Sequence, residues 1–87
     1  HAAKKGDANA QFHLGRLYET GDGIDKNLER AAKWYLLAAE QDHSKAQANL
    51  GWMYVNGEGV EEDLDEAAKW YKRSEGSEKY SRKKSRN

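Results

Sequence analysis

The chain has 87 residues, which is enough for one small domain and too few for two. Its 15 basic and 15 acidic residues are unevenly placed, so that residues 1–78 carry a charge of −5 and residues 79–87 a charge of +5. A uniformly basic, nucleic-acid-binding body is therefore excluded. The absence of cysteine excludes disulfides, cysteine-ligated zinc and thiol catalysis, and no apolar run approaches the roughly 18 residues of a transmembrane helix.

The cellular compartment does not follow from the sequence. A chain without cysteine is compatible with the cytoplasm, and no signal peptide is visible. The first residue is His1 rather than methionine, which is more typical of a fragment boundary than of a native start, so the presence of a signal peptide further upstream stays open.

An internal repeat with an offset of 36 residues organises the chain. Between residues 10 and 35, 13 of 26 positions are identical to the residue 36 positions later. The five residues from Ala31 to Tyr35 recur without change from Ala67 to Tyr71. Because residues 2 and 3 match residues 38 and 39 in the same register, residues 1–6 are interpreted as the end of a preceding repeat.

Each repeat is predicted to begin with a helix, over residues 8–19 in the first copy and 44–55 in the second. Asp7 and Ser44 are the candidate N-caps. Apolar residues recur at the i, i+4, i+7 and i+8 spacing of one buried stripe. In the first copy the stripe consists of Ala10, Leu14, Leu17 and Tyr18.

Two glycines in each copy are predicted to end this helix, because glycine allows a positive φ. Ile24 and Val60, which follow these glycines, are expected to reach the core. A second helix is predicted over residues 27–39 and 63–74, capped by Asn27 and Asp63. Its apolar positions in the first copy are Leu28, Ala31, Ala32, Trp34, Tyr35 and Ala38.

Gly15 and Gly51 lie inside the first helices, where a glycine costs about 1 kcal/mol relative to alanine. Their recurrence at the same register predicts that a neighbouring helix approaches closely at this point.

These residues resemble the Sel-one-like repeat (SLR) family, which is related to the tetratricopeptide repeats. The matching pattern is A-x-x-x-L-G-x-x-Y-x-x-G-x-G-[IV] followed by A-A-x-W-Y-x-x-A-A, and the resemblance covers about residues 2–76. It implies an all-α fold, an α-solenoid of antiparallel helix pairs. We expect a repeat domain over residues 1–76, with repeats at 7–42 and 43–76, and a basic, disordered tail over residues 77–87.

The end of the second copy departs from the family pattern. Lys72 and Arg73 stand where the first copy has two leucines, and Ser74 and Glu75 replace two alanines. Such a polar helix is typical of a terminal cap, or of a solenoid docked on another domain. Because two repeats are fewer than the roughly three needed for independent stability, we expect either a fragment of a longer array or self-association through its open end.

The first helices of such solenoids line the concave side. Their positions outside the apolar stripe differ between the copies, and Trp52 stands where the first copy has Arg16. Variable positions on a constant frame are suited to specific binding, and Trp and Arg are favoured interface anchors. We therefore expect a protein or peptide partner on this side. The candidate binding residues are Asn9, Phe12, His13, Arg16, Lys45, Asn49 and Trp52.

A structural role is the alternative for the aromatic candidates. Trp52 could instead pack on Phe12 or Arg16 of the neighbouring repeat. For Phe12 itself, packing within the stack is favoured over contact with a partner.

Catalysis and cofactor binding find little support, so the chain is predicted to be a non-enzymatic adaptor or scaffold without cofactor or metal. Its three histidines lack metal-site spacing. The paired glycines follow a helix rather than a strand and enclose Asp22 or Glu58, which disfavours phosphate binding. Six acids between residues 58 and 66 do not fit a calcium loop. Cysteine-rich SLR relatives are associated with β-lactam hydrolysis, and this chain has no cysteine.

The basic segment 79–87 supports a second hypothesis. A nucleic-acid accessory protein could contact phosphate through this segment while the repeats position it. A solvated terminus without a partner is the simpler interpretation.

Overall fold

A computed structural model of the chain describes the backbone of residues 6–86 and the side chains of residues 6–75. Within this part of the chain four helices and no strand occur: α1 (Ala8–Thr20), α2 (Leu28–Ala39), α3 (Ser44–Asn56) and α4 (Leu64–Arg86). Helix α1 packs on α2 and α3 packs on α4, while α2 also packs on α3 and so joins the two pairs. The predicted all-α helical solenoid is confirmed.

Polar side chains cap the helix starts. Asp7, Asn27 and Asp63 each accept a hydrogen bond from the backbone N–H three residues later, at 3.1, 3.0 and 3.1 Å, as predicted. The prediction of Ser44 as the cap of α3 is wrong, because His43 occupies that position and its Nδ1 accepts the corresponding N–H at 3.2 Å. The offset of 36 residues places His43 on Asp7, so an imidazole nitrogen replaces the carboxylate oxygen.

Glycines end both first helices in the left-handed conformation, with φ of 76° at Gly21 and 66° at Gly57. The residues that follow the glycine pairs behave differently. Val60 packs against the core as expected, whereas Ile24 is 37 % exposed. The turn that carries Val60 rests on α2, and no described helix covers the turn that carries Ile24.

The two helical glycines do mark close approaches. A Cβ atom at Gly15 would lie 2.7 Å from the ring of Tyr35, and one at Gly51 would lie 3.1 Å from the ring of Tyr71. Since real Cβ atoms avoid such distances, each glycine allows the two helices of its repeat to pack closely on an aromatic ring.

The predicted apolar stripe is buried in α3 but not in α1. Leu50 and Met53 are each 1 % exposed, whereas their counterparts Leu14 and Leu17 are half-buried and 37 % exposed. The expectation of a buried stripe on α1 is therefore met only in part. Tyr18 packs against the core, but no described helix covers Leu14 and Leu17 in the way that α2 covers Leu50 and Met53. The expected longer array or self-association at this end stays a prediction.

Helix α4 extends beyond its predicted end at residue 74 and continues to Arg86. The expected disorder of residues 77–87 stays a prediction. The segment contains no proline and is rich in Lys, Arg and Glu, which favour helix. The side chains of residues 76–87 lie outside the described part of the chain. Among the described helices, none combines the length and the apolar character needed to cross a membrane.

Candidate functional site

The candidate binding residues follow one side of α1 and the matching side of α3, which we call the first-helix face. On α1 they lie at positions i, i+4 and i+7, and the repeat places the α3 residues at the same register. Among these, Trp52 is the most informative, because 54 % of a large aromatic side chain is exposed. The exposed candidates are Asn9, His13, Arg16, Lys45 and Trp52, and Asn49 is partly buried.

Phe12 does not belong to the accessible part of this face. Its side chain is 9 % exposed. Its ring stacks on His43, with the centroids 4.7 Å apart, and also lies 5.7 Å from the ring of Tyr35. In the structure Phe12 packs within the stack, which is the alternative that the sequence favours for this residue.

His43 links the two first helices. While its Nδ1 caps α3, its Nε2 lies 2.9 Å from Oδ1 of Asn9 on α1. A neutral imidazole satisfies both contacts, with Nδ1 accepting and Nε2 donating. Burial lowers the pKa of His43, and the nearby Lys45 and His13 lower it further, although a backbone hydrogen bond opposes them. The contacts and the local charges thus favour the same neutral form.

Tyr35 of α2 connects the same two helices further along the face. Its hydroxyl donates a hydrogen bond of 2.5 Å to Glu19 of α1, and the side chain of Asn49 on α3 lies next to the same hydroxyl. Burial raises the pKa of Tyr35, and the bond to Glu19 raises it further. The phenol is therefore a neutral hydrogen-bonding group that keeps α1 and α3 side by side.

Arg16 borders an open groove of about 680 Å³ on the α1 side of the face. Trp52 lies on α3 at the position equivalent to Arg16. Both side chains are exposed, and the packing of Trp52 on Phe12 or Arg16 stays an alternative prediction. The residues lining the groove are His13, Arg16, Leu17, Thr20 and Asp22.

Metal chemistry is not indicated within the described range. No group of three or more His, Cys, Asp or Glu side chains is arranged to hold a metal ion there. The acids at the start of α4 instead support the helix, since Asp65 and Glu66 lie in its first turn. Glu66 also pairs with Lys69 at 2.9 Å.

A comparison with protein-family models matches the Sel1 repeat twice, over residues 8–43 and 44–74. The chain belongs to the Sel1 repeat family. The first match runs from the start of α1 through α2 and the turn after it, and the second runs from the start of α3 to residue 74 within α4, so each match corresponds to one helical hairpin.

Solved Sel1-type structures share the fold of the chain. A Sel1 repeat protein from Oxalobacter formigenes is 46 % identical, with a TM-score of 0.87, over 90 % of this chain and 32 % of that protein. A protective antigen of uropathogenic Escherichia coli with an SLR fold is 36 % identical, with a TM-score of 0.86, over 88 % and 16 %. Helicobacter pylori cysteine rich protein B is 26 % identical, with a TM-score of 0.80, over 85 % and 56 %.

Curated relatives match one stretch of about 40 residues. A putative sel1-like repeat-containing protein of Acanthamoeba polyphaga mimivirus is 43 % identical over 48 % of this chain, and the chitin synthase regulator SKT5 of Saccharomyces cerevisiae is 55 % identical over 44 %. The DAP3-binding cell death enhancer 1 of Rattus norvegicus is 47 % identical over 44 %. The matches cover 7 %, 6 % and 8 % of these relatives, so the matched Sel1 repeats are a small part of much longer proteins.

Two linking residues, His43 and Tyr35, do not stand out in the sequence pattern of the Sel1 repeats. The signal for His43 was present, because the offset of 36 residues aligns it with the cap residue Asp7. The apolar pattern places Tyr35 in the core and gives no indication that its hydroxyl bonds to another helix. Glu19, which binds this hydroxyl, gave no repeat signal, since Val55 occupies the equivalent position.

Proposed function

We propose that the chain is a protein-binding module of an adaptor or scaffold, without enzymatic activity, and that its partner binds on the first-helix face, the concave side of the array. Sel1 repeat proteins are in general protein-interaction modules, and the proposal assigns that role to particular residues. Two relatives bear names that agree with it, a regulator of an enzyme and a protein that binds another protein.

The contrast between shared and variable positions carries the proposal. Gly15 and Gly51, which occupy a position that the repeats share, are buried in both copies. Arg16 and Trp52, which occupy the same position in different repeats, are both exposed on the first-helix face. A constant frame with variable, exposed Arg and Trp side chains is the arrangement expected of a binding surface.

A pull-down from source-cell lysate, read by mass spectrometry, tests this assignment. The wild-type chain is compared with the double variant Arg16→Glu/Trp52→Ala and with a matched control, Lys33→Glu/Leu37→Ala, on the exposed side of α2. Circular dichroism first verifies equal helical content. We expect the wild type and the control to capture a common partner that the first-helix variant loses.

Capture of the same partner by all three proteins would contradict the assignment and move the binding surface elsewhere. The nucleic-acid alternative depends on residues 79–87, whose side chains lie outside the described part, and no observation favours it.

A further inference from the structure

We infer that the first-helix face binds an acidic, extended peptide segment, whose carboxylates contact Arg16 and Lys45 and whose apolar side chain packs on Trp52. This inference rests on the proposed function and adds the chemistry of the partner to it.

The distribution of acids is the first argument. Of the 15 acidic residues, only Glu19 lies on α1 or α3, and the other 14 lie in turns, at helix caps, on the second helices or in the terminal segment. The carboxylate of Glu19 is held by the hydroxyl of Tyr35. A chain whose first 78 residues carry −5 thus keeps its negative charge away from one face.

The second argument concerns the ion pairing of the two cations, Arg16 and Lys45. Arg16 and Lys45 are exposed. Within the described residues, ion pairs form elsewhere, between Lys69 and Glu66 and between Arg73 and Asp42, and neither Arg16 nor Lys45 takes part in one. Both are therefore available for an external carboxylate, for which Arg offers two parallel donors.

The acids nearest to Arg16 limit how a peptide approaches. Asp22 lines the same groove, beyond the C-terminal end of α1, and Glu19 lies one helical turn from Arg16. An acidic segment is repelled from that end. The peptide therefore reaches Arg16 from the side of His13, along the part of the first-helix face that leads towards the start of α1.

Trp52 supplies the apolar contact. Its 54 % exposure makes it the large aromatic side chain that is most accessible among the described residues. It lies two helical turns from Lys45, or about 10 Å along α3. The first-helix face, from position 9 to position 16 of α1, is about 10 Å long, which an extended peptide of about three residues covers.

Fluorescence anisotropy with labelled peptides tests the inference on the full chain. The probe is a peptide of about ten residues that consists of Asp and Glu around one central Phe, and the matched probe has Lys at every acidic position. We expect the acidic peptide to bind and the Lys peptide not to bind. Raising NaCl from about 50 mM to about 300 mM is expected to weaken binding markedly.

Charge reversals locate the binding surface. Arg16→Glu and Lys45→Glu are each expected to weaken binding of the acidic peptide by about tenfold, and Trp52→Ala by a similar factor. Lys33→Glu introduces the same charge change on α2 and is expected to weaken binding less than about twofold. Arg16→Gln repeats the test without a new negative charge.

Three outcomes would overturn the inference. The first is equal weakening by Lys33→Glu and Arg16→Glu, which indicates a general charge effect. The second is loss of binding in a full-length chain whose residues Arg82, Lys83 and Lys84 are changed to Gln, which assigns the peptide to the terminal segment. The third is stronger, Trp52-dependent binding of an oligo-dT of matched charge, which assigns the face to nucleic acid.

The failure of the inference and that of the proposed function can be told apart. If the acidic peptide does not bind while lysate capture still depends on Arg16 and Trp52, the proposed function stands and the partner chemistry is wrong. If neither peptide binding nor lysate capture depends on these residues, both proposals fail.

Discussion

Helices α1 and α3 have nearly the same apolar pattern and different surroundings. The stripe of α3 is closed by α2, and Leu50 is 1 % exposed. The stripe of α1 is open, and Leu17 is 37 % exposed. The repeat pattern therefore identifies which side of a helix packs against a neighbour, and it does not reveal whether that neighbour is present.

The second helices show the reverse order, since the helix of the first repeat, α2, is the more buried one and the helix of the second repeat, α4, is the more exposed one. Ala39 of α2 is fully buried, whereas Glu75, its counterpart on α4, is exposed. Leu36 packs against the core, and its counterpart Lys72 is exposed. Here the sequence itself changes with the surroundings, because charged side chains replace the apolar ones that would contact a following helix.

Truncation of equivalent leucines tests the first comparison most strongly. Leu50→Ala is expected to lower the free energy of unfolding by about 3 kcal/mol, because it empties a closed site in the core. Leu14→Ala is expected to cost about 1 kcal/mol, since its side chain already contacts solvent. Urea unfolding followed by circular dichroism measures both values.

Equal losses for the two leucines would show that the stripe of α1 is covered in solution. Light scattering would then determine whether a second copy provides the cover, since such a contact depends on protein concentration.

The second glycines of the two turns extend the comparison between the repeats. Gly23 and Gly59 have φ of 86° and 74°, so alanine costs about 1–2 kcal/mol at either position through backbone strain. A Cβ atom at Gly59 would also overlap the carbonyl of Leu28, whereas nothing lies within 4 Å of one at Gly23. Gly59→Ala is therefore expected to lose about 1–3 kcal/mol more than Gly23→Ala in thermal or urea unfolding.

If Gly23→Ala instead costs as much as Gly59→Ala, the first turn is packed in solution against something that the described residues do not include. A crystal structure of the Gly23→Ala variant would identify the contact.

The cap residues give the smallest expected difference. His43 has a pKa below its usual 6.5 in the folded chain, so the unfolded chain binds a proton more readily. Its contribution to stability is complete above about pH 6.5 and declines as the pH falls below that value. Since an N-cap contributes about 1 kcal/mol, the expected loss between about pH 7 and about pH 5 is of that order or smaller.

His43→Asn keeps a capping acceptor but does not titrate, and it is expected to remove this part of the pH dependence from urea unfolding. His13→Asn removes one of the neighbouring charges that lower the pKa of His43, so it is expected to reduce the slope less than His43→Asn does. An unchanged slope in His43→Asn would mean that the carboxylates, and not this imidazole, govern stability in that range.

The fold was predictable because the same helix-forming pattern occurs twice in the chain. Asn27 and Asp63 are good capping residues in equivalent positions, and Gly15 and Gly51 occur in the same register. The continuation of α4 to Arg86 was not predicted, since no apolar period marks it. Only the helix propensity of its residues favours a helix there, and a search for apolar periodicity does not detect this propensity.

The candidate site was predictable in position but not in detail. The i, i+4, i+7 stripe placed Arg16 and Trp52 on the exposed face. The candidate residues also include Phe12, which does not follow this spacing and packs within the stack. The partners of Phe12 and of Glu19 come from other helices, and spacing within one helix carries no information on contacts between helices.

The contact of Gly59 with α2 determines which properties of this array can change independently. Here the turn of one repeat lies against the backbone of the preceding one, without an intervening side chain. The distance between repeats at this contact therefore depends on main-chain atoms, which no substitution at Arg16 or Trp52 alters. Such a scaffold can acquire a new recognition surface, one exposed side chain at a time, while its pitch stays the same.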